Sequence, residues 1–419
     1  MWFVRELTSW LSGAAAPDVF PYHSVLDEFQ RVGKHFVEKN LLALLDEARS
    51  RVTGRGEPAP LLRDFLDATL DKWDGRYDYR SYLALRLLRL PCGADHPPPA
   101  EDDTSARRTR DQLVIRLVAD ALAFELAAAA HTTDLLPLGR PGPELVAKRC
   151  RLGVRAASPA LARLGLTGAV GAGDPATVAT ALSVVAADFG TAADQSLRLS
   201  MLPVHVTHDE YLFIRVLQAY ECLFAGVADE LGAAVAALAV DAARPAAARL
   251  AYARDLLGSA GPLFSLLATM QRESFQTFRQ YTEGASAIQS RSYKLVESLC
   301  RTPDEGRLDS VAYRSVPEVL ARVRAGQPTV DEAYRSAVGG GRLAGADRDL
   351  VARRMGEFAA TLLRWRRTHH RVAVRMLGAR SGTGYTQGTP YLAAVRDVPV
   401  FSTNAPDPHL TDPTGGHPA

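Results

Sequence analysis

The feature that most constrains the fold of this chain is the three-to-four-residue spacing of apolar side chains along segments rich in Ala, Leu and Arg. Alternating runs of Val, Ile and Thr, which would predict β-strands, are nearly absent. Apolar side chains at this spacing line one face of an α-helix, where they can pack against other helices. The sequence therefore predicts an all-α protein.

Composition narrows the class of protein further. The 419 residues are 47% hydrophobic, which is too apolar for a disordered chain. Lys and Arg number 49 against 47 Asp and Glu, so there is no general electrostatic case for nucleic acid or an anionic membrane as partner. The four cysteines lie far apart, and no uncharged apolar run reaches 18 residues. We expect a soluble cytoplasmic protein without a disulfide framework.

Four helices matter most for the argument, predicted over 26–52, 208–227, 263–282 and 349–377. In the first of them, one side of the helix collects the apolar residues Phe29, Val32, Phe36 and Leu41. A glycine run at 339–341 ends one helix before the last of the four begins.

Breaks in the helical pattern predict the domain organisation. The stretch PCGADHPPPAEDD, which begins at Pro91, combines prolines and acids that a packed element does not tolerate well. We predict an N-terminal helical region at 1–95, a Pro-rich seam at 96–104, a helical catalytic domain at 105–400 and an irregular tail at 401–419.

One histidine lies inside the apolar stripe of the helix predicted over 349–377. Every third or fourth residue gives Val351, Met355, Phe358, Leu362, Trp365, His369, Val372 and Met376. A buried imidazole needs a hydrogen bond, a water or a metal, and a core residue with a hydrogen bond is the commoner case. The arginines around it, Arg375 among them, form either an exposed basic face or a site for a dianion such as paired haem propionates. A neutral imidazole in such a setting also suits an axial iron ligand.

The helix predicted over 208–227 begins with polar residues. His205, His208, Asp209 and Glu210 could hold a metal ion, but side chains that suit the exposed N–H groups of a helix start are the better account.

The helix predicted over 263–282 places Phe275 and Arg279 one turn apart, so the arginine projects from an aromatic face. It could pair with an acid or bind a substrate carboxylate. Ser286 is suited to cap the helix that follows.

Glycines after residue 377 allow the backbone to approach a ligand closely. A dinucleotide loop is disfavoured there, because that loop follows a strand and this one follows a helix.

Three segments together resemble the tryptophan 2,3-dioxygenase family: HDEYLFIRVLQAYECLF (208–224), FQTFRQYTEGASAIQSRSYKLVE (275–297) and WRRTHHRVAVRMLGARSGTGYTQGTPYL (365–392). Order and internal spacing both match. The resemblance covers about 197–395, and residues 1–190 have no recognised counterpart.

This resemblance implies a haem-binding helical bundle that binds haem b and O2, to which this chain adds the N-terminal helical region predicted above. It implies that His369 is the axial ligand of the haem iron. Ser286, Trp365 and Arg375 are the other cofactor-binding residues that it implies. It implies a substrate site formed by Arg279, Thr383, Phe275, Gly382 and Gly384, with Phe213 and Leu217 in the distal-side pocket.

Two departures from the family pattern bear on function. Leu217 occupies the position of a distal histidine, and Phe275 that of a tyrosine. Both lose a hydrogen-bonding group, which favours a substrate other than free tryptophan or an outcome other than ring cleavage. Position 373 carries no cysteine, so noncovalent haem binding is expected.

The resemblance implies an oxidoreductase that inserts oxygen from O2 into an aromatic amino acid or a related indole or phenol. The alternatives are a haem-dependent monooxygenase of a specialised biosynthetic pathway, a non-catalytic haem-binding protein, and a helical interaction protein without cofactor. We expect a homo-oligomer. We also expect the N-terminal half to pack over the catalytic core within one chain, so that a chain starting near residue 105 loses activity.

Overall fold

The computed structural model describes residues 2–13, 15–54, 59–90, 103–190, 194–378 and 388–402. Within these ranges the regular elements are helices and no β-strand occurs; one isolated bridge joins Leu138 to Thr207. The prediction of an all-α fold is confirmed.

The α-helices of the described residues are α1 (Trp2–Ser12), α2 (Tyr22–Val32), α3 (Lys39–Gly54), α4 (Pro60–Thr69), α5 (Tyr79–Tyr82), α6 (Asp103–Ala129), α7 (Pro143–Arg163), α8 (Pro175–Ala187), α9 (Asp194–Leu199), α10 (His208–Ala239), α11 (Ala243–Leu267), α12 (Arg272–Arg279), α13 (Arg291–Cys300), α14 (Glu305–Leu308), α15 (Val311–Arg314), α16 (Pro317–Arg324), α17 (Val330–Gly339), α18 (Gly345–Leu377) and α19 (Thr389–Arg396). Short 3-10 helices lie at Pro17–Val19, Lys34–Phe36 and Ala287–Gln289.

Helix α10 is the centre of the larger hydrophobic core. It packs against α6, α11, α13 and α17, while α11 also packs along α18. By length and composition α10 is the one described helix that could cross a membrane, yet most of its residues are buried among its neighbours. The core helix of a globular fold meets the same criteria, so we interpret α10 as such a helix.

The N-terminal region has a hydrophobic cluster of its own. Apolar residues of α1–α4 pack together there, with Leu199 and Leu202 joining from the other half of the chain. Tyr79 and Tyr82 of α5, in contrast, belong to the larger core. The N-terminal region is thus joined to the rest of the chain through α5 and through the segment around residue 200.

The predicted seam and tail fall largely outside the described residues. Helix α6 begins at Asp103, within the range predicted as seam. Phe401, at the start of the predicted tail, is buried and lies 6.3 Å from Phe358 between ring centroids.

The prediction of one helix over 26–52 is wrong, because the chain breaks between α2 and α3. Gly33 has φ +84°, and a Cβ there would lie 2.7 Å from the carbonyl oxygen of Val204. The backbone N–H groups of Lys34 and His35 donate to the carbonyls of Pro203 and Val204. This contact with a distant segment ends α2 and leaves Phe36 45% exposed, off the predicted apolar side.

The single helix predicted over 263–282 is also wrong: α11 ends at Leu267 and α12 begins at Arg272. A fully buried ion-pair cluster holds the break. Arg149 lies 2.7 Å from both Glu125 and Asp209, and its Nη2 donates to the carbonyl of Thr269. The carboxylate of Asp209 in turn accepts a hydrogen bond from the backbone N–H of Gln271. Buried charges need hydrogen-bond partners, and the backbone between α11 and α12 supplies two of them here, the carbonyl of Thr269 and the N–H of Gln271.

Candidate active-site cavity

A cavity enclosed by α5, α10–α13, α18 and α19 brings together most of the residues singled out from sequence. It offers about 230 Å³ in which the centre of a water molecule can lie. Among the lining residues are the predicted Phe213, Leu217, Phe275, Arg279, Ser286, Trp365 and His369. Arg375 is exposed on α18 and is not part of this lining. Gly382, Thr383 and Gly384 lie outside the described residues.

The predicted stripe of α18 is confirmed, and His369 faces the cavity from it. The apolar members Val351, Met355, Phe358, Leu362 and Met376 are buried, whereas Trp365 and Val372 are partly buried against the core.

The imidazole of His369 lies between two aromatic rings. Its centroid is 5.1 Å from that of Trp365 and 6.1 Å from that of Phe264. Burial, together with the neighbouring His370, lowers the pKa of His369 to about 4. Among the described residues its ring makes no hydrogen bond, so a neutral imidazole lone pair is available to a ligand in the cavity.

The wall contributed by α10 and α12 is apolar. Phe213 and Leu217 are one turn apart on α10. The ring of Phe213 lies 5.8 Å from that of Phe275 and 5.2 Å from that of the fully buried Phe278. None of these side chains can transfer a proton, so this wall can pack an aromatic ring and exclude water.

Glu221, one turn beyond Leu217, is a buried carboxyl group that the sequence analysis missed. Burial raises its pKa, opposed by hydrogen bonds from Ser290, Ser292 and Tyr79. Its Oε1 atom is buried and has no hydrogen-bond partner within the described ranges. Its spacing of four from Leu217 was the signal that could have identified it.

The N-terminal region supplies two tyrosines to the cavity of the same chain. Helix α5 is fixed by a capping box between Asp78 and Ser81. Its residues Tyr79 and Tyr82 line the cavity, and Tyr82 Oη donates to Glu210 Oε1 at 3.2 Å. The concentration of tyrosines in DGRYDYRSYLAL (74–85) is the sequence signal that could have identified them. The expectation that the N-terminal half packs over the core within one chain agrees with this placement.

Arg279 is the last residue of α12, half-buried at the edge of the cavity. The turn after it is held by the N-terminal region, because Lys72 Nζ donates to the carbonyl of Tyr281 and to Glu283. Ser286 caps the short helix Ala287–Gln289, as predicted, and its N–H donates to Gln289 Oε1. The cap of α13 itself is Ser290, whose Oγ accepts from the N–H of Tyr293.

The polar start of α10 is occupied by structural contacts. His208 Nε2 lies 3.2 Å from Glu125, and the Glu210 carboxylate accepts from the backbone N–H groups of Val204 and His205. Within the part of the chain that the structure describes, no three His, Cys, Asp or Glu side chains group as a metal site would require.

Among the curated proteins to which this chain is similar are several tryptophan 2,3-dioxygenases. The chain is 27% identical over 232 residues to the tryptophan 2,3-dioxygenase of Bradyrhizobium diazoefficiens, covering 48% of this chain and 83% of that protein. It is 28% identical to the enzyme of that name from Bordetella pertussis, covering 82% of it, and 27% identical to that of Paraburkholderia phytofirmans, covering 76%. No protein-family model matches the chain.

Proposed function

We propose that this chain, which belongs to a tryptophan 2,3-dioxygenase-like family, is a haem-dependent oxidoreductase that inserts oxygen from O2 into an aromatic amino acid or a related indole or phenol. The single observation that carries the proposal is the arrangement of one cavity. A neutral, unpartnered imidazole lines it, and so do an arginine and a wall of phenylalanines and leucine.

The residues present fit a haem group. His369 offers a lone pair at neutral pH, because its pKa is lowered to about 4. The rings of Trp365 and Phe264 lie beside it, and those of Tyr220 and Phe224 pack against Trp365 in the same lining, which suits an apolar macrocycle. Haem, when bound, supplies the iron centre at which O2 is activated. His369 would coordinate its iron, and Trp365 and Ser286 would line the cofactor site.

Arg279 would bind the carboxylate of an amino-acid substrate. Guanidinium and carboxylate groups pair through two parallel hydrogen bonds, which fix the orientation as well as the position of the ligand. Phe213 and Phe275 would then pack the aromatic ring and exclude water from it. Gly382, Thr383 and Gly384, by the family resemblance, would complete the substrate site.

Leu217 is the observation that favours a monooxygenase as the second candidate. A leucine cannot accept the N–H of an indole or donate to an oxygen species, so this position cannot orient the substrate through a hydrogen bond. Ring cleavage would then proceed without a hydrogen-bonding group at position 217 to orient the substrate or the oxygen species. Hydroxylation of the ring does not require a hydrogen-bonding group at position 217.

Product mass distinguishes these functions. The purified full-length protein is loaded with haem and incubated with aromatic amino acids, O2 and a reductant. Addition of two oxygen atoms identifies a dioxygenase, and addition of one identifies a monooxygenase. Unchanged substrate with haem bound identifies a non-catalytic haem protein. A protein that stays colourless when haem is supplied contradicts the proposal.

A further inference from the structure

Three cationic side chains line one side of the cavity, and the one carboxylate that pairs with them is not part of the lining. Lys294, Arg307 and Arg366 line the cavity, and all three are mostly or fully buried. Glu297 pairs with two of them: Lys294 Nζ lies 2.9 Å from its Oε2, and Arg307 Nε 2.9 Å from its Oε1. The cations therefore face the cavity with the acid behind them.

The charges of this group do not balance. Two of the three cations share the Glu297 carboxylate, and Arg366 has no acidic partner among the described residues, so the group carries a surplus of two positive charges. The other hydrogen-bond partners are neutral. Arg366 Nε donates to Tyr293 Oη and its Nη1 to the carbonyl of Val398, while Arg307 Nη1 donates to Tyr391 Oη. A buried surplus of charge is costly without a counter-ion.

Donor groups remain free to bind such a counter-ion. Arg366 Nη2 has no hydrogen-bond partner among the described residues, and the Lys294 ammonium donates one of its three hydrogens, to Glu297. Burial, and then the charges of Arg307 and Arg366, lower the pKa of Lys294 to about 8 against the opposing effect of Glu297. An anion in the cavity would stabilise the protonated form.

The position of Arg366 relates this group to His369. The two residues are three apart on α18, so their Cα atoms are separated by about 4.5 Å along the helix axis. Both side chains line the same cavity, so a ligand held by the imidazole can extend to the guanidinium. The other arginines of α18 do not compete for this role, because Arg364, Arg371 and Arg375 are exposed and absent from the lining.

We propose that Lys294, Arg307 and Arg366 form a carboxylate-binding subsite in the cavity wall, separate from Arg279. The subsite rests on the proposed function for its principal ligand, the paired propionates of haem, which would match the surplus of two charges. A substrate carboxylate is the other source of the same chemistry. The surplus charge lies on buried side chains rather than on the exposed basic face of α18.

Porphyrin binding tests the subsite without any catalytic readout. Metal-free protoporphyrin IX and its dimethyl ester are titrated into the full-length apoprotein and followed by porphyrin fluorescence. We expect the diacid to bind at least about 100-fold more tightly than the ester, since each charged hydrogen bond contributes about tenfold or more. K294M and R366Q should each reduce this preference about tenfold and leave the affinity for the ester unchanged.

The variants have matched controls. R353Q makes the same substitution at an exposed position of α18 and should keep the full preference. K294R keeps the charge and should restore most of it. K294M leaves Glu297 paired with Arg307 through two contacts, so the variant should fold, which thermal unfolding followed by circular dichroism checks.

A second titration tests whether the subsite binds substrate. The affinities of the haem-loaded protein for an aromatic amino acid and for its amide are measured from changes in the absorption spectrum. If K294M and R366Q remove the discrimination between acid and amide but not that between porphyrin diacid and ester, the subsite binds substrate. If neither discrimination changes in either variant, the subsite proposal is overturned. Failure of haem to bind at all would instead overturn the proposed function, so the two failures are distinguishable.

Discussion

The two sides of the cavity differ in how they are assembled along the chain. The side with His369 comes mainly from one helix, α18, where Trp365, Arg366 and His369 follow one another within five residues. The opposite side draws on α5, α10, α12 and the turn at Ser286, which lie more than 200 residues apart at the extremes. The first side can therefore be recognised from local spacing, while the second exists only once the chain has folded. Stability should depend mainly on the buried apolar residues of the second side, and cofactor binding on the first.

Truncation of Phe278 should produce the largest effect, and it acts on stability. Phe278 is a fully buried member of the apolar wall, so F278A leaves a void and should lower the free energy of unfolding by about 3–5 kcal/mol. Denaturant unfolding measures this. F36A, the same change at a phenylalanine that is 45% exposed, is the control and should cost much less. Equal losses would show that the wall is not a packed part of the core.

Removal of the Arg279 guanidinium should act on turnover rather than on folding. R279M should lower kcat/KM for an amino-acid substrate about 100-fold, because the carboxylate loses its paired hydrogen bonds. Steady-state kinetics with the acid and its amide measure this. R272M, on the exposed side of the same helix α12, should leave kinetics unchanged. An equal loss of activity on the amide in R279M would show that Arg279 does not act through the substrate carboxylate.

Introduction of a hydrogen-bonding group into the apolar wall should change the product. L217H adds an imidazole one turn from Phe213 and Glu221, and we expect the share of product with two added oxygen atoms to rise severalfold, at a stability cost of about 1–3 kcal/mol. Product masses and thermal unfolding report both effects. L217M keeps the wall apolar and should leave the product ratio unchanged; a shift in that variant would assign the effect to shape.

The smallest effect concerns the attachment of the N-terminal tyrosines. Burial raises the pKa of Glu210, which accepts a hydrogen bond from Tyr82, to about 8. Between its unfolded value of 4.5 and about 8, the folded state binds more protons, so stability falls as pH rises through this window. Ionisation of Glu210 should lower Tm by roughly 1–2 °C per pH unit in this window. E210Q, which mimics the protonated carboxyl, should remove it, and an unchanged slope would contradict the assignment.

The difference between the two sides of the cavity also explains which features could be predicted from sequence. Helix α18 and the histidine in its apolar stripe followed from periodicity, because neighbouring residues of the stripe are three or four positions apart. The break at Gly33 and the break after Leu267 did not, since both depend on contacts with residues more than 60 positions distant. Glu221 and the pairing of Lys294 with Arg307 through Glu297 were missed for a related reason. The spacing from Leu217 places Glu221 on the same side of α10, but local spacing does not show that its carboxyl group is buried or which charged residues pair with one another.

The most direct test of the account is the absorption spectrum of the haem-loaded protein with and without the His369 ring. The wild-type protein should show a Soret band that shifts on reduction and on binding of carbon monoxide or imidazole. H369A should bind haem more weakly and lose the spectrum of a histidine-ligated iron, and added imidazole should restore it. A Soret band and ligand-induced shifts identical to those of the wild type would contradict the assignment of His369 as the iron ligand.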